Sequence, residues 1–211
     1  MNSRNLERVL IDGAAGAIET VIAVPQPPPR GIALVTHPHP LQGGTLDNKV
    51  TVTLAKTFFA LGYVAVRFNF RGVGASAGSF DEGNGETDDA LIVLEYVRAR
   101  FGVQLPIALA GFSFGSFVQT RVAQRVAPVG MVLVGPAVKR FAVAPVPKNT
   151  IVIHGEIDDV VPLADVFAWA RPQALPIVVF PGCGHFFHGR LPQLARVVTS
   201  CWTPPPPGAT R

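Results

Sequence analysis

Ser113 is the residue whose setting first suggests chemistry. It lies in the sequence GFSFG (111–115), directly after the apolar run 107–110. This G-x-S-x-G spacing is typical of a sharp turn from a buried strand into a helix, in which the two glycines leave room for the turn and the serine hydroxyl is exposed. A serine hydroxyl is a weak nucleophile, so it needs a general base, an acid that orients the base, and donors for the oxyanion.

The segment after Ser113 distinguishes this interpretation from an ordinary glycine-rich turn. The motif fixes only three positions, so the plain turn is a real alternative. From 114 to 126, however, the apolar residues recur at helical spacing and form one face. They are Phe114, Phe117, Val118, Val122 and Val126. A strand before the serine and a helix after it favour a nucleophile.

Candidate partners of the serine follow two later predicted strands. Thr150–His154 is followed by Asp158, and Ile177–Phe180 is followed by His185. Catalytic groups of open α/β sheets gather at the carboxyl ends of the strands. The chain order is then serine, acid, histidine, which is one of the known orders of a hydrolytic triad. We expect His185 to move the proton and Asp158 to hold its ring in the working tautomer.

Each partner has competitors nearby in the chain. Asp158 is preferred to Asp159, which could cap the following helix, and to Glu156 as third choice. His185 is preferred as the base to His188, which we expect to contact the substrate. Asp158 and His185 are preferred to Asp159 and His188 because each lies nearer the end of the preceding strand.

The oxyanion donors are expected from two backbone N–H groups. One is that of Phe114, at the N-terminus of the predicted helix, where the macrodipole is positive. The other belongs to the loop after the strand Gly31–Thr36. Proline has no N–H, so Pro38 and Pro40 are excluded, and Leu41 is our choice over Gln42 as the first donor beyond the histidines.

The same loop contains the pair His37 and His39. An H-x-H pair could hold a metal ion, but no further ligand cluster stands out, and serine, acid and histidine suffice for hydrolysis without an ion. We therefore predict no metal site. The histidines and prolines are expected to stiffen the loop, and His39 and Gln42 are expected to contact the substrate.

A second glycine pattern, GVGASA (72–77), resembles a dinucleotide-binding fingerprint. A polar loop (78–85) follows it, whereas the fingerprint requires a helix that opens at the first glycine. Arg71 is expected to anchor this loop to nearby carbonyls or acids. We predict no cofactor.

Composition limits the remaining possibilities. The 211 residues suit one domain over 1–203 with a proline-rich tail at 204–211. With 48% hydrophobic and 15% charged residues, the chain suits strands covered on both faces. The net charge of +4 is scattered, which argues against nucleic-acid binding. No apolar run reaches membrane-spanning length and no signal-like segment opens the chain, so we expect a cytoplasmic protein that does not bind membranes.

An edge hairpin followed by alternating strands and helices predicts a mostly parallel sheet with helices on both faces. The predicted strands are Arg8–Asp12, Ala17–Val24, Gly31–Thr36, Tyr63–Phe68, the run from Ile107, Val129–Val134, Thr150–His154 and Ile177–Phe180. The predicted helices are Asp47–Leu61 with Asp47 as its cap, Glu86–Phe101, Phe114–Val126, Leu163–Arg171 and Leu191–Cys201.

Several long segments together resemble one known group of proteins. THPHPLQGGTLDNKV, FNFRGVGASAGSFDEGNGETDDA, GFSFGS, HGEIDDVVP and GCGHFFHGRL are similar to a small bacterial family of α/β-superfamily hydrolases, related to dienelactone hydrolases and carboxylesterases. The resemblance implies an eight-stranded α/β-hydrolase fold and a triad of Ser113, Asp158 and His185. Dienelactone hydrolases have cysteine as nucleophile, so their substrate class is not carried over.

The segment Gly135–Asn149, where relatives commonly insert a cap, is too short for a helical lid. We therefore expect an open groove for small or flexible acyl esters. The predicted function is a serine hydrolase that cleaves carboxylic esters through an acyl-enzyme, acting on a small molecule as a monomer or homodimer. Thioester hydrolysis, acyl transfer and peptide cleavage use the same groups and stay open. A non-catalytic binding protein on this fold and an oxidoreductase are the alternatives of other classes.

Overall fold

Eight strands form one sheet in the order β1-β2-β4-β3-β5-β6-β7-β8. The computed structural model describes residues 6–203. The strands are β1 (Leu6–Gly13), β2 (Gly16–Ala23), β3 (Gly31–Thr36), β4 (Tyr63–Phe68), β5 (Ile107–Phe112), β6 (Gly130–Val134), β7 (Thr150–Gly155) and β8 (Ile177–Phe180). The α-helices are α1 (Lys49–Ala60), α2 (Asn84–Phe101), α3 (Phe114–Ala123), α4 (Leu163–Ala170) and α5 (Leu191–Cys201).

The six strands β4, β3, β5, β6, β7 and β8 are neighbours in that order and pair in parallel. The β1–β2 hairpin extends the sheet at one edge, where β2 pairs antiparallel with β4. Every residue of β3, β4, β5 and β6 is buried. Continuous apolar runs form such strands because helices cover both faces of a parallel sheet. The eight-stranded, mostly parallel α/β architecture predicted from the sequence is confirmed.

Two apolar layers enclose the sheet. On one face, α2 and α3 pack against it through side chains that include Leu94, Val97, Phe117 and Val118. On the other face, α1 and α5 contribute Leu54, Phe58, Leu194 and Val198. Each buried aliphatic or aromatic side chain stabilises the fold by about 1.5–3 kcal/mol. The two layers therefore fix the sheet between the helices, and with it the ends of the strands.

Two predicted helix caps are wrong. The side chain of Asn48, and not that of Asp47, caps α1, accepting from Val50 N at 2.9 Å. Asp47 instead forms an ion pair with the buried Arg67 guanidinium at 2.5 Å, a partner supplied by β4 that local sequence does not reveal. Asp159 does not cap α4, because Pro162 occupies the N-cap position and no side chain caps that helix.

Two loops at the carboxyl edge of the sheet, the one after β4 and the one between β6 and β7, test further predictions. No helix opens at Gly72, so the dinucleotide interpretation has no structural support. Arg71 anchors this loop as predicted, through two hydrogen bonds to Asp89 at 2.8 and 2.9 Å. Between β6 and β7 the described chain forms neither helix nor strand, which confirms that no helical lid is inserted there.

None of the helices in residues 6–203 is long and apolar enough to span a lipid bilayer. The predicted proline-rich tail lies outside the described residues.

Candidate active site

Ser113 occupies a strained turn between β5 and α3. Its backbone angles are φ 54° and ψ −117°, and a positive φ is costly for a residue with a Cβ. The Ser113 N–H donates to Val134 O at 2.9 Å, which ties the turn to β6. Strain of this kind persists only where the surroundings enforce it, so this turn is the first structural sign of a functional serine.

The two flanking glycines explain how the turn fits. A Cβ on Gly115 would lie 2.5 Å from His37 O and 2.6 Å from Thr36 O. A Cβ on Gly111 would lie 2.6 Å from Gly115 C. All three are backbone atoms that cannot rotate away. Glycine at 115 therefore allows the loop after β3 to approach the serine turn closely, and glycine at 111 allows the start of α3 to pack against the end of β5.

A chain of hydrogen bonds connects Ser113 to the predicted base and acid. His185 Nε2 lies 3.0 Å from Ser113 Oγ, and His185 Nδ1 lies 2.7 Å from Asp158 Oδ2. All three side chains are buried. Because an ionised carboxylate only accepts, the ring proton lies on Nδ1 and Nε2 is left to accept from the serine hydroxyl. This arrangement can remove a proton from the hydroxyl and return it later.

Asp158 is held by the backbone of its own loop. Its Oδ1 accepts from Val160 N at 3.0 Å and from Val161 N at 2.7 Å. Burial raises the pKa of Asp158, but the hydrogen bonds from His185 and Val161 N–H lower it by more, so the pKa lies below its ordinary value. The group is therefore a carboxylate at neutral pH. Its two sequence competitors, Asp159 and Glu156, are exposed.

His154 is a further histidine of this site that the sequence reasoning missed. It is fully buried at the end of β7, with Nε2 2.8 Å from Val161 O and 3.4 Å from Asp158 Oδ2. Among the described residues, nothing hydrogen-bonds to its Nδ1. Burial lowers the pKa of His154, and the Val161 carbonyl and the Asp158 charge offset only part of this. The signal in the sequence that could have identified His154 is its position at the end of β7, the strand that leads to Asp158.

His37 fastens the loop after β3 next to the serine turn. Its Nδ1 lies 2.7 Å from Pro38 O, and its Nε2 accepts from Phe70 N–H at 2.9 Å. Burial lowers the pKa of His37 to about 4, although the hydrogen bond to Pro38 opposes this. The ring is therefore neutral and bridges two loops. Within residues 6–203, no group of three or more His, Cys, Asp or Glu side chains is placed to hold a metal ion.

The two predicted oxyanion donors lie in different surroundings. Phe114 follows Ser113 at the first turn of α3, and in the described part of the chain its N–H donates no hydrogen bond. Leu41 is exposed and its N–H donates to His39 Nδ1 at 3.2 Å. The Gln42 N–H donates to His39 O at 3.1 Å, whereas the N–H of His39 has no acceptor among residues 6–203.

A small pocket opens at Ser113. Its walls come from the loop after β3, the start of α3, the β6–β7 segment and the loop that carries Asp158. The lining residues are His39, Gln42, Ser113, Phe114, Ala137, Arg140, Phe141, Val160 and Val161. Two of the three predicted substrate contacts, His39 and Gln42, line this pocket. His188 does not: it is exposed, and its ring lies 5.9 Å from that of Phe186.

Both cysteines are free thiols, with Cys183 buried and Cys201 exposed. No disulfide bond therefore joins them.

Solved structures of bacterial α/β serine hydrolases resemble this chain along nearly its whole length. An α/β serine hydrolase homologue from Coxiella burnetii is 38% identical, with a TM-score of 0.87, and the match covers 96% of this chain and 99% of that one. An α/β serine hydrolase without a lid, from Xanthomonas campestris, is 35% identical, with a TM-score of 0.88, and the match covers 98% and 99% of the two chains.

Two comparisons of sequence agree with this likeness. A lysophosphatidylserine lipase from Gallus gallus is 40% identical over 82 residues, which are 39% of this chain and 21% of the lipase. The model of the family described as serine aminopeptidase S33 matches residues 41–166, more than half of the chain. The serine turn, the fold and the full-length structural matches all agree with this match. The chain belongs to this family of α/β serine hydrolases.

Proposed function

We propose that the protein cleaves carboxylic esters through an acyl-enzyme, with Ser113 as nucleophile, His185 as base and Asp158 as the orienting acid. The observation that carries the proposal is the buried chain of hydrogen bonds from Ser113 Oγ through His185 to Asp158, which starts at a strained residue. A non-catalytic binding protein would have no need of the strained turn and the complete chain together.

The first half of the reaction forms the acyl-enzyme. Ser113 Oγ attacks the carbonyl carbon while its proton passes to His185 Nε2, and the carbonyl oxygen becomes an oxyanion. The Phe114 N–H at the start of α3 faces this charge, aided by the helix dipole. The intermediate then collapses, the C–O bond to the alcohol breaks, and the leaving oxygen takes the proton from His185.

The second half returns the enzyme to its starting state. A water molecule takes the place of the alcohol, gives a proton to His185 Nε2 and attacks the acyl carbon. The second tetrahedral intermediate expels Ser113 Oγ, which recovers the proton, and the carboxylic acid leaves. Asp158 stays ionised and stabilises the imidazolium in both halves.

We propose a second oxyanion donor in the loop after β3. The Leu41 N–H, our choice from the sequence, would first have to release His39 Nδ1. The His39 N–H is the competing donor, because it has no acceptor among the described residues. Loss of one donor typically costs ~2.7–4 kcal/mol of transition-state stabilisation, so the choice has measurable consequences.

The pocket favours esters over the peptides that the family description suggests. An aminopeptidase must bind a protonated amino group, for which a carboxylate is the usual partner. No carboxylate belongs to the described pocket lining, and its one permanent charge is the Arg140 cation. The related lysophosphatidylserine lipase is by its name an ester hydrolase, which agrees with the proposal. Thioester hydrolysis and acyl transfer remain the second candidates, since they need the same groups.

The test compares wild type with Ser113→Ala on matched acetyl to long-chain 4-nitrophenyl esters, thioesters and aminoacyl 4-nitroanilides. Ser79→Ala removes an exposed serine and is the control. Burst kinetics and phosphonate labelling that depend on Ser113, with esters turned over fastest, support the proposal. Faster cleavage of the anilides would make it a peptidase, and no labelling or turnover of any substrate would move the chain to the binding-protein class.

We further propose that the substrate is a small molecule and that the enzyme acts in the cytoplasm as a monomer or homodimer.

A further inference from the structure

Arg140 is the one permanently charged side chain among the described residues that line the Ser113 pocket. The other lining groups are apolar, aromatic or neutral polar side chains. The Asp158 carboxylate lies behind His185 and Val161 and does not line the pocket. A substrate bound at Ser113 therefore meets a positive charge and no negative one.

A turn sets the position of the backbone around Arg140, whose side chain is exposed. The N–H groups of Arg140 and Phe141 both donate to Ala137 O, each at 3.2 Å, and close a turn. The Phe141 ring stacks on Phe117 at 4.7 Å between centroids and meets the Phe114 ring at 5.1 Å. Arg140 therefore precedes a residue, Phe141, that packs against the start of α3 beside Ser113.

No acid among the described residues pairs with this cation. In residues 6–203, Arg140 takes part in no ion pair, whereas Arg71 on a neighbouring loop is paired with Asp89. The Arg140 charge also acts on His39, a residue of the pocket wall. Burial lowers the pKa of His39, and the positive charge of Arg140 lowers it further. His39 itself lines the pocket, so the charge of Arg140 acts on a group of the pocket wall.

We propose that the enzyme prefers esters that carry an anionic group, a carboxylate or a phosphate, close to the ester bond, and that Arg140 binds this group. The inference rests on the proposed esterase function and names its substrate class. Guanidinium groups pair with carboxylate and phosphate oxygens through two parallel N–H donors, which gives orientation as well as attraction. An exposed pair of this kind contributes up to ~1 kcal/mol, or about fivefold in kcat/KM.

The experiment uses two ester pairs in which one member carries an anionic group and the other a neutral group at the same position. 4-Nitrophenyl hexanoate and the mono-4-nitrophenyl ester of adipic acid place the anion on the acyl side. 1-Butyrylglycerol and 1-butyrylglycerol 3-phosphate place it on the alcohol side. The ratio of kcat/KM for the anionic ester to that for the neutral ester is measured in wild type, Arg140→Gln and Lys139→Gln. Lys139 is an adjacent exposed cation outside the pocket lining and is the matched control.

We expect Arg140→Gln to lower the ratio about fivefold in at least one pair, while Lys139→Gln leaves it within twofold. The pair that responds identifies the side of the ester on which the anion lies. Added salt should reduce the wild-type ratio and have less effect on the Arg140→Gln ratio, since charges at the surface are screened over about 8 Å at physiological ionic strength.

An unchanged ratio in both pairs, or an equal fall in Lys139→Gln, would overturn the inference while Ser113-dependent hydrolysis kept the esterase proposal intact. Hydrolysis that survives Ser113→Ala would instead overturn the proposed function.

Discussion

Asp158 Oδ2 lies between two histidines, 2.7 Å from His185 Nδ1 and 3.4 Å from His154 Nε2. Since the Val161 carbonyl only accepts, the proton of the neutral His154 ring lies on Nε2, and it points to Val161 O with Asp158 as a second, longer acceptor. The Val161 N–H in turn donates to Asp158 Oδ1. His154 therefore binds the carbonyl of the same residue whose N–H binds the acid, and Val161 also lines the pocket.

We predict that His154 positions Asp158. His154→Leu removes the donor and should lower kcat roughly tenfold to 100-fold with a smaller effect on KM, because small misplacements of reacting groups are costly. His154→Gln retains an amide donor and should recover part of the loss. The measurements are kcat, KM and the downfield NMR signal of the His185 Nδ1 proton.

His188→Gln, at an exposed histidine outside the pocket lining, controls for the loss of an imidazole. Equal activity of the Leu and Gln variants, with an unshifted proton signal, would show that His154 only stabilises the fold.

Substitution of each carboxylate in turn tests whether Asp158 or the adjacent Asp159 is the acid of the triad. Asp158→Asn preserves shape but offers an NH₂ group to His185 Nδ1, which favours the wrong tautomer and should lower kcat by about 10³–10⁴-fold. Asp159→Asn, at an exposed residue one position on, should change kcat by less than about twofold. Steady-state kinetics at neutral pH measure both, and comparable losses in the two variants would mean that the acid is misassigned.

His37 should make stability depend on pH. Its pKa is about 4 in the folded protein and 6.5 when unperturbed, so the unfolded chain binds the extra proton as pH falls below 6.5. The unfolded state is then favoured, and the free energy of unfolding should fall between pH 6.5 and pH 4 by up to about 3 kcal/mol from this residue.

Urea unfolding of wild type, His37→Gln and the control His188→Gln at pH 7 and pH 4.5 tests this. The pH dependence should be flatter in His37→Gln alone. A dependence as steep as that of wild type would exclude His37 as its source.

The close approach of two loops at the serine turn gives a further prediction. In Gly115→Ala, the new methyl group meets His37 O and Thr36 O at 2.5 and 2.6 Å, so the loop after β3 must move away from Ser113. Since a shift of about 1 Å can cost 100-fold, we expect a loss in kcat/KM of roughly that size.

Gly184→Ala is the matched control, because its Cβ would meet only Ile157 O, at 3.9 Å. The thermal midpoint of each variant shows whether the fold is retained. Full activity of Gly115→Ala would mean that the spacing of these two loops is unimportant.

Much of the fold was predictable because its signals are local. The buried runs that became β3 to β7, the spacing of apolar residues in α3 and the glycines around Ser113 each depend on residues a few positions apart. The errors fall where a partner comes from far away in the chain. Asp47 was predicted to cap α1, but the cationic Arg67 of β4 draws it away.

The sequence by itself determined the order of elements, the strained turn at Ser113 and the acid and histidine that follow later strands, because these follow from backbone sterics and apolar periodicity. Only the tertiary structure brought together Ser113 and His185, which are 72 positions apart. It also placed His154 next to Asp158, turned the Leu41 N–H toward His39 and left Arg140 at the pocket with no ion-pair partner among residues 6–203. Such contacts depend on how separate strands end side by side, and no local pattern of residues encodes them.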